Sequence, residues 1–182
     1  VDTAGFRAGS GTAALLDPCA ADGAAAFQLL LALFGDLRRD RETRATLHAC
    51  ELEATRAATL RTTANRTLGW HAEQQCLAGD MFRVVASVSV PGGHTPYDGA
   101  NVLWLNPPYD TDPVHGRLEQ RFLERATGWL APGGLLLFVV PHEALAASAQ
   151  HLARHYTNLH CFRLPEPDFA SYRQAVLFAV RG

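Results

Sequence analysis

Residues 106–109 read Asn-Pro-Pro-Tyr and follow the apolar run Val102–Leu105. Asn106 offers a side-chain carbonyl and Pro107 a backbone carbonyl. Two such acceptors can hold both hydrogens of a flat exocyclic NH2 group. Held that way, the nitrogen is drawn toward tetrahedral geometry, and a lone pair otherwise delocalised into the ring is freed to attack a sulfonium methyl. Pro108 stiffens the turn, and neither proline has the N–H that would continue strand pairing. Tyr109 presents a flat face on which a base can stack. Positioning and electrostatics would carry the rate, because the amine can lose its proton after attack and no general base is required. Asn106, Pro107, Pro108 and Tyr109 are therefore the candidate catalytic group, against the plainer reading of a strand ended by proline.

Three other short apolar runs also end in acids. Asp17 follows Ala13–Leu16, Glu51 closes Thr46–Glu51, and Asp80 lies within Gln75–Phe82. Asp17-Pro18-Cys19-Ala20-Ala21-Asp22-Gly23 is a turn of mostly small residues before a helical stretch, which lets a ligand approach backbone N–H groups at a helix start. Two acids in that turn favour a cationic group such as an ammonium over a phosphate. The competing reading is a helix cap at Asp22. Glu51 is placed to accept two ribose hydroxyls, with Glu53 as a competitor. Asp80 offers a carboxylate to an adenine amino group, and Met81 and Phe82 offer apolar surface to its ring. The three ends describe an adenosine-like ligand with a cationic amino-acid tail, and S-adenosyl-L-methionine has those parts. The expected cofactor-binding set is Asp17, Pro18, Cys19, Ala20, Gly23, Glu51, Asp80, Met81 and Asn106.

The elements that must carry these residues alternate. Strands are predicted at Ala13–Leu16, Thr46–Glu51, Gln75–Phe82, Val102–Leu105, Leu135–Val140, Asn158–Leu164 and Gln174–Val180, with the β-branched Val84–Val90 as an extra strand outside this series. Helices are predicted at Ala24–Phe34, Ala54–Ala64, from Leu118 to Leu130 and from His142 to His155. Pro132-Gly133-Gly134 stops the third helix, and Leu135–Val140 has the unbroken apolar character of a central parallel strand. Pro91–Gly99 reads as loop, and Pro165–Ser171 shows no helix-length pattern. Strand and helix in alternation imply a mostly parallel sheet, and a final strand pair without a helix between implies one antiparallel member. In such sheets ligands bind beyond the carboxyl ends of the strands, where Asp17, Glu51, Asp80 and Asn106 fall.

The chain has 182 residues, enough for one domain with a substantial core. Apolar residues make up 48% and charged residues 19%, which excludes a disordered polymer. A formal net charge of −2 excludes a grip on nucleic acid by bulk electrostatics alone. All 16 cations are arginine, which a GC-rich coding sequence explains as well as phosphate binding does. Cys19, Cys50, Cys76 and Cys161 are widely spaced, so neither a zinc site nor a disulfide framework is expected and a reduced, cytoplasmic setting is. The longest apolar runs, Ala24–Phe34 and Leu135–Pro141, are too short to span a bilayer. His151 and His155 lack the neighbouring glutamate of a zinc-protease helix, so no metal is expected. Arg117, Arg121 and Arg125 form one helical row, read as a solvated face that has phosphate contact as its alternative.

Asn-Pro-Pro-Tyr after the fourth strand resembles the class I S-adenosylmethionine-dependent methyltransferases, as do Asp-Pro-x-x-x-x-Gly after the first strand, an acid after the second and Gly-Asp after the third. The set is similar to the N6-adenine DNA methyltransferase branch. Asn-Pro-Pro-Tyr-Asp-x-Asp, Arg-Phe-Leu-Glu-Arg-Ala and Leu-Ala-Pro-Gly-Gly also resemble an uncharacterised group of bacterial and phage methyltransferase-like proteins. The resemblance runs from about Leu15 to Val180. It implies a Rossmann-like, doubly wound α/β fold of seven strands with the last antiparallel, and one catalytic domain over 1–182 with residues 1–12 flexible. By the same resemblance Asp17 and Gly23 lie at the methionine part of the cofactor, Glu51 at the ribose, Asp80 at the adenine and Asn106–Tyr109 at the target amine. The expected reaction is methylation of adenine N6 in DNA. The alternatives are an RNA base, a protein glutamine, or a methyltransferase-like domain that does not catalyse. Three departures stand out: Ala21 occupies a position where the family usually has glycine, only Val1–Thr12 stands where a cofactor-contacting segment is expected before the first strand, and no separate target-recognition domain is present. Target binding is then left to the Arg38–Arg44 stretch, to a partner, or to sequence beyond this chain.

Overall fold

Leu15, Val102, Leu103 and Leu136–Val140 are apolar without alternation, so the strands that carry them need cover on both faces and belong at the centre of a sheet. The computed structural model describes residues 12–34, 44–67, 72–84, 87–90, 93–96, 99–114 and 116–182. Its elements in chain order are β1 (Thr12–Asp17), α1 (Ala24–Phe34), β2 (Arg44–Glu51), α2 (Ala54–Thr67), β3 (Ala72–Ala78), β4 (Ser87–Val90), β5 (Gly93–Pro96), β6 (Ala100–Leu105), β7 (Thr111–Asp112), β8 (Gly116–Arg117), α3 (Leu118–Thr127), β9 (Leu130–Pro141), α4 (Leu145–His155), β10 (Tyr156–Arg163), α5 (Asp168–Tyr172) and β11 (Gln174–Arg181). Seven strands form one sheet in the order β10-β11-β9-β6-β1-β2-β3, while β4-β5 and β7-β8 are separate hairpins. Strand β11 runs antiparallel to both its neighbours, and the pairs from β9 to β3 are parallel. The seven strands and the antiparallel last strand agree with the expected fold.

Helices cover the two faces separately. Phe27 and Leu30 of α1 and Leu60 of α2 pack with Leu15, Leu47 and Val102. On the other side Phe122 and Leu123 of α3 and Leu152 of α4 pack with Leu103, Leu105 and Phe138. Spacings of three and four residues (Ala57, Leu60, Ala64; Phe122, Leu123, Ala126) give each helix one apolar stripe to bury.

Four expectations are corrected. The stretch Pro91–Gly99 contains β5, which pairs antiparallel with β4. Strand β9 begins at Leu130 and not at Leu135, because residues 131–134 bulge where the register with β6 jumps from Ala100↔Leu130 to Val102↔Leu135. The stretch predicted as a helix from His142 opens with a 3-10 turn over His142–Ala144. Pro165–Ser171 leads into α5, a five-residue turn too short to show a periodic pattern. Residues 1–11 and most of the Arg38–Arg44 stretch lie outside the described residues. Among the described residues no helix is long and apolar enough to cross a membrane.

Candidate functional site

The registers bring the predicted residues to one edge. Asp17 pairs with Ala49, two residues before Glu51, and Glu51 pairs with Ala78, two before Asp80. Leu16 pairs with Leu103, three residues before Asn106. The acids converge on Cys50. Its thiol donates to the Gly79 carbonyl at 3.1 Å, and burial first, then the charges of Asp80, Glu51 and Asp17, push it up to about 11.

Asp17 is 2% exposed, and its Oδ1 accepts the Cys19 backbone N–H at 3.2 Å. Burial, and to a smaller degree the charge of Glu51, push its carboxyl up to about 7, with the Cys19 N–H opposing. A buried acid poised near neutrality has desolvation to recover and is stabilised by any cation that arrives beside it. Cys19 feels both tips: the Asp17 charge raises its thiol, and the Asn106 backbone N–H acts in the opposite sense. Burial, followed by the Asp17 charge, holds the Cys19 thiol well above its ordinary range, so it stays protonated and is no nucleophile.

The turn after β1 is pinned by backbone bonds. Ala20 N–H donates to the Cys50 carbonyl at 2.9 Å and Gly23 N–H to the Ala20 carbonyl at 2.8 Å. Pro18 and Ala20 are buried within it. Gly23 has φ +85°, and a Cβ there would lie 2.5 Å from Leu60 and Phe27, so only glycine fits. Ala21 also takes a left-handed φ, 49°, without that freedom. Asp22 Oδ1 accepts the Ala24 N–H at 3.1 Å in a turn just before α1, while the Gly23 carbonyl accepts the Phe27 N–H at 3.0 Å and makes Gly23 the residue at the cap position.

Glu51 is 7% exposed and already occupied. Its Oε2 accepts the Ala21 N–H and its Oε1 the Glu53 N–H, both at 2.9 Å, with Arg56 Nε 3.6 Å away. A carboxylate has about four acceptor positions, so two remain for hydroxyls. Asp80 Oδ1 accepts the Phe82 N–H at 3.0 Å, and Met81 is buried in the core on the α3 side. Phe82 meets Phe122 edge to face, at 4.9 Å between centroids.

At the β6 tip Asn106 and Pro108 are exposed and Pro107 is buried. Tyr109 is 36% exposed, and its hydroxyl donates to Asn106 Oδ1 at 2.6 Å. The turn is braced from behind: Leu118 N–H donates to the Asp110 carbonyl at 2.9 Å, and Thr111 pairs with Arg117. Beneath it Glu119 is 1% exposed and paired with Arg117 at 2.6 Å. The arginine row is engaged within the domain. Arg117 holds Glu119, Arg121 lies over the Phe82 ring, and Arg125 lies over Trp129 and donates to the Val84 carbonyl.

Sequence reading missed two contributors. Gln174, the polar residue that opens β11, donates through Nε2 to the Tyr109 hydroxyl at 2.9 Å. Glu119 is the other, an acid on the buried side of an amphipathic helix. An apolar groove of about 430 Å³ between α4 and the β10–β11 edge, lined by Leu145, Leu152, Leu159 and Leu177, shares no residue with this cluster. Among the described residues no group of three or more His, Cys, Asp or Glu is placed to hold a metal.

Residues 93–182 match the model of an uncharacterised methyltransferase family, DUF6094. Among curated proteins none matches the chain. Solved structures share the fold. A Listeria monocytogenes protein described as a candidate class I S-adenosylmethionine-dependent methyltransferase superposes with a TM-score of 0.71 at 18% identity, over 94% of this chain and 54% of its own. A protein from Agrobacterium tumefaciens described as a predicted O-methyltransferase gives 0.63 at 16% identity, over 93% and 74%. The N-methyltransferase NodS from Bradyrhizobium japonicum, solved with S-adenosyl-L-homocysteine, gives 0.57 at 14% identity, over 93% and 78%. The chain therefore has the class I methyltransferase fold, and it spans about half the length of the Listeria protein.

Proposed function

We propose that this domain is an S-adenosylmethionine-dependent N-methyltransferase that acts on the exocyclic amine of a nucleobase, adenine N6 in DNA being the substrate its residues fit best. One juxtaposition carries the reading. Strands β1 and β6 are paired neighbours in register, Leu16 with Leu103, so the β6 tip with its two amine acceptors lies beside the β1 tip that ends in the buried Asp17. The family match over 93–182, which includes Asn106–Tyr109, supports it, as do neighbours described as methyltransferases of this cofactor class.

The residues fit a cationic nucleoside. Asp17 is a buried acid that gains from a positive neighbour, Glu51 keeps acceptor capacity for hydroxyls, and space beside Gly79 is open, since a Cβ there would meet no atom within 4 Å. Asp17, the Cys19–Gly23 turn, Glu51 and Asp80 would hold the cofactor, which when bound supplies an electrophilic methyl on a positively charged sulfur. Asn106 Oδ1 and the Pro107 carbonyl would accept the two amine hydrogens and turn the nitrogen lone pair toward that side. Tyr109 offers its partly exposed ring to the base. With the α3 arginines engaged inside the domain, we assign target recognition to a partner or to sequence outside this domain.

The test is transfer of labelled methyl from S-adenosylmethionine to unmethylated DNA, RNA and protein pools. Label in DNA recovered as N6-methyladenine is expected, with Asn106→Ala lowering the rate by a factor on the order of 10² to 10³. Transfer undiminished in Asn106→Ala would sink the proposed role of the amide, and label only in another pool would reassign the substrate.

A further inference from the structure

The Tyr109 hydroxyl is met from three sides: Asn106 Oδ1 at 2.6 Å, Gln174 Nε2 at 2.9 Å and the Val139 carbonyl at 3.4 Å. A phenol has one proton to give and lone pairs to accept with, while the Gln174 amide nitrogen can only donate. The Tyr109 oxygen therefore accepts from Gln174 and spends its own proton elsewhere. The Asn106 Oδ1 atom 2.6 Å away can only accept, so the phenol proton is directed to it. Asn106 is thereby fixed with its oxygen toward the phenol and its nitrogen away from it. The Val139 carbonyl is a weaker second acceptor for the same proton. Burial pushes the Tyr109 hydroxyl up to about 12, so it remains a donor at neutral pH. Strand β11 brings Gln174 here by pairing it with Pro141 at the tip of β9.

We propose that Gln174 is a positioning residue: it holds the Tyr109 oxygen so that the phenol proton stays on Asn106 Oδ1, which sets the amide in the orientation that accepts a substrate amine. When an amine donates to that oxygen, the phenol proton has the Val139 carbonyl to turn to without movement of heavy atoms. The relay rests on the methyltransferase reading for its consequence, but it exists in the free protein and is measurable there.

Two measurements test it. In the free protein, the Asn106 side-chain amide resonance is expected to shift in Gln174→Met and to be indifferent to the same substitution in a Tyr109→Phe background. In transfer assays Gln174→Met should lower kcat about tenfold, the equivalent of one hydrogen bond, while KM for DNA and cofactor affinity stay within about twofold. Gln174→Glu replaces the donor with an acceptor that takes the phenol proton for itself. It should be worse than Gln174→Met at about pH 8 and recover toward it below about pH 5, where a protonated carboxyl can donate again. None of these effects should persist in Tyr109→Phe. An unchanged Asn106 resonance in Gln174→Met, or a Gln174 effect that survives in Tyr109→Phe, overturns the relay. If the resonance responds as expected while the wild-type protein methylates nothing, the relay stands and the methyltransferase reading falls.

Discussion

Asp17 is the residue on which the electrostatics of the site turn. Burial holds its carboxyl up at about 7, against an ordinary value near 3.8. The folded chain therefore holds more protons than the unfolded one between about pH 4 and about pH 7. Stability falls as pH rises through that window, by a total of up to about 4 kcal/mol, and changes little above it. Asp17→Asn removes the loss: by urea unfolding the variant should be the more stable at about pH 8, with the gap closing toward about pH 4. A gap that does not vary with pH would place the effect on another group. A cation bound beside Asp17 reverses the sign. Affinity for S-adenosylmethionine should rise about tenfold per pH unit below about pH 7 and level off above it, with calorimetry recording proton release. Ala21 carries a second cost. Its φ of 49° belongs to the left-handed region, where a Cβ costs roughly 1–2 kcal/mol. Ala21→Gly keeps the N–H that donates to Glu51 and should stabilise the protein by about 0.5–1 kcal/mol after the added freedom of the unfolded chain is counted. A lower melting temperature would mean that Ala21 is held there by packing that repays the strain.

The start of α3 fixes the Asn106–Tyr109 turn from behind. Glu119 enters the core with Arg117 as its ionic partner, and among the described residues its second oxygen, Oε2, has no hydrogen-bond partner. Removing the cation from such a pair costs more than replacing both members, because a buried charge is left alone. Arg117→Met should destabilise by about 3 kcal/mol in urea unfolding, and Arg117→Met with Glu119→Gln should recover most of it. Equal losses in the single and double variants would show that Arg117 acts through packing alone. The strands that end in Asp17 and Asn106 were legible because two-sided burial writes unbroken apolar runs, and because a polar residue at the end of a short run stands out, as Glu51 also does after β2. Helix α1 was legible from its run of alanine and leucine, which favour helix, and α3 from its one apolar stripe. Strand β5, the bulge before Leu135 and helix α5 were not, since four or five residues are too few to show a period. The relay was hidden for another reason. Gln174 is 65 residues from Tyr109, and only the antiparallel return of β11 brings them together.

For the whole domain, the proposed reading makes charge the property that would govern how a nucleic acid is approached. The net charge is −2, and the arginines of α3 serve Glu119, Phe82, Trp129 and the Val84 carbonyl. A cation over an aromatic ring on its own domain contributes about 0.5–1 kcal/mol to the fold and is withheld from phosphate. Each arginine that neutralises a phosphate adds about 0.9 to the slope of log K against log salt. Arg121→Ala and Arg125→Ala should therefore lower the melting temperature by a few degrees and leave that slope unchanged when duplex binding is followed by fluorescence anisotropy. The same experiment separates two architectures. If the slope falls by about one for each arginine removed, the α3 face is the nucleic-acid surface and its internal contacts open on binding. If it does not fall, the proposed base would have to reach Asn106 from a surface elsewhere, and the sheet edge that carries Asp17, Glu51, Asn106 and Gln174 would be a proposed reaction centre that depends on a separate grip.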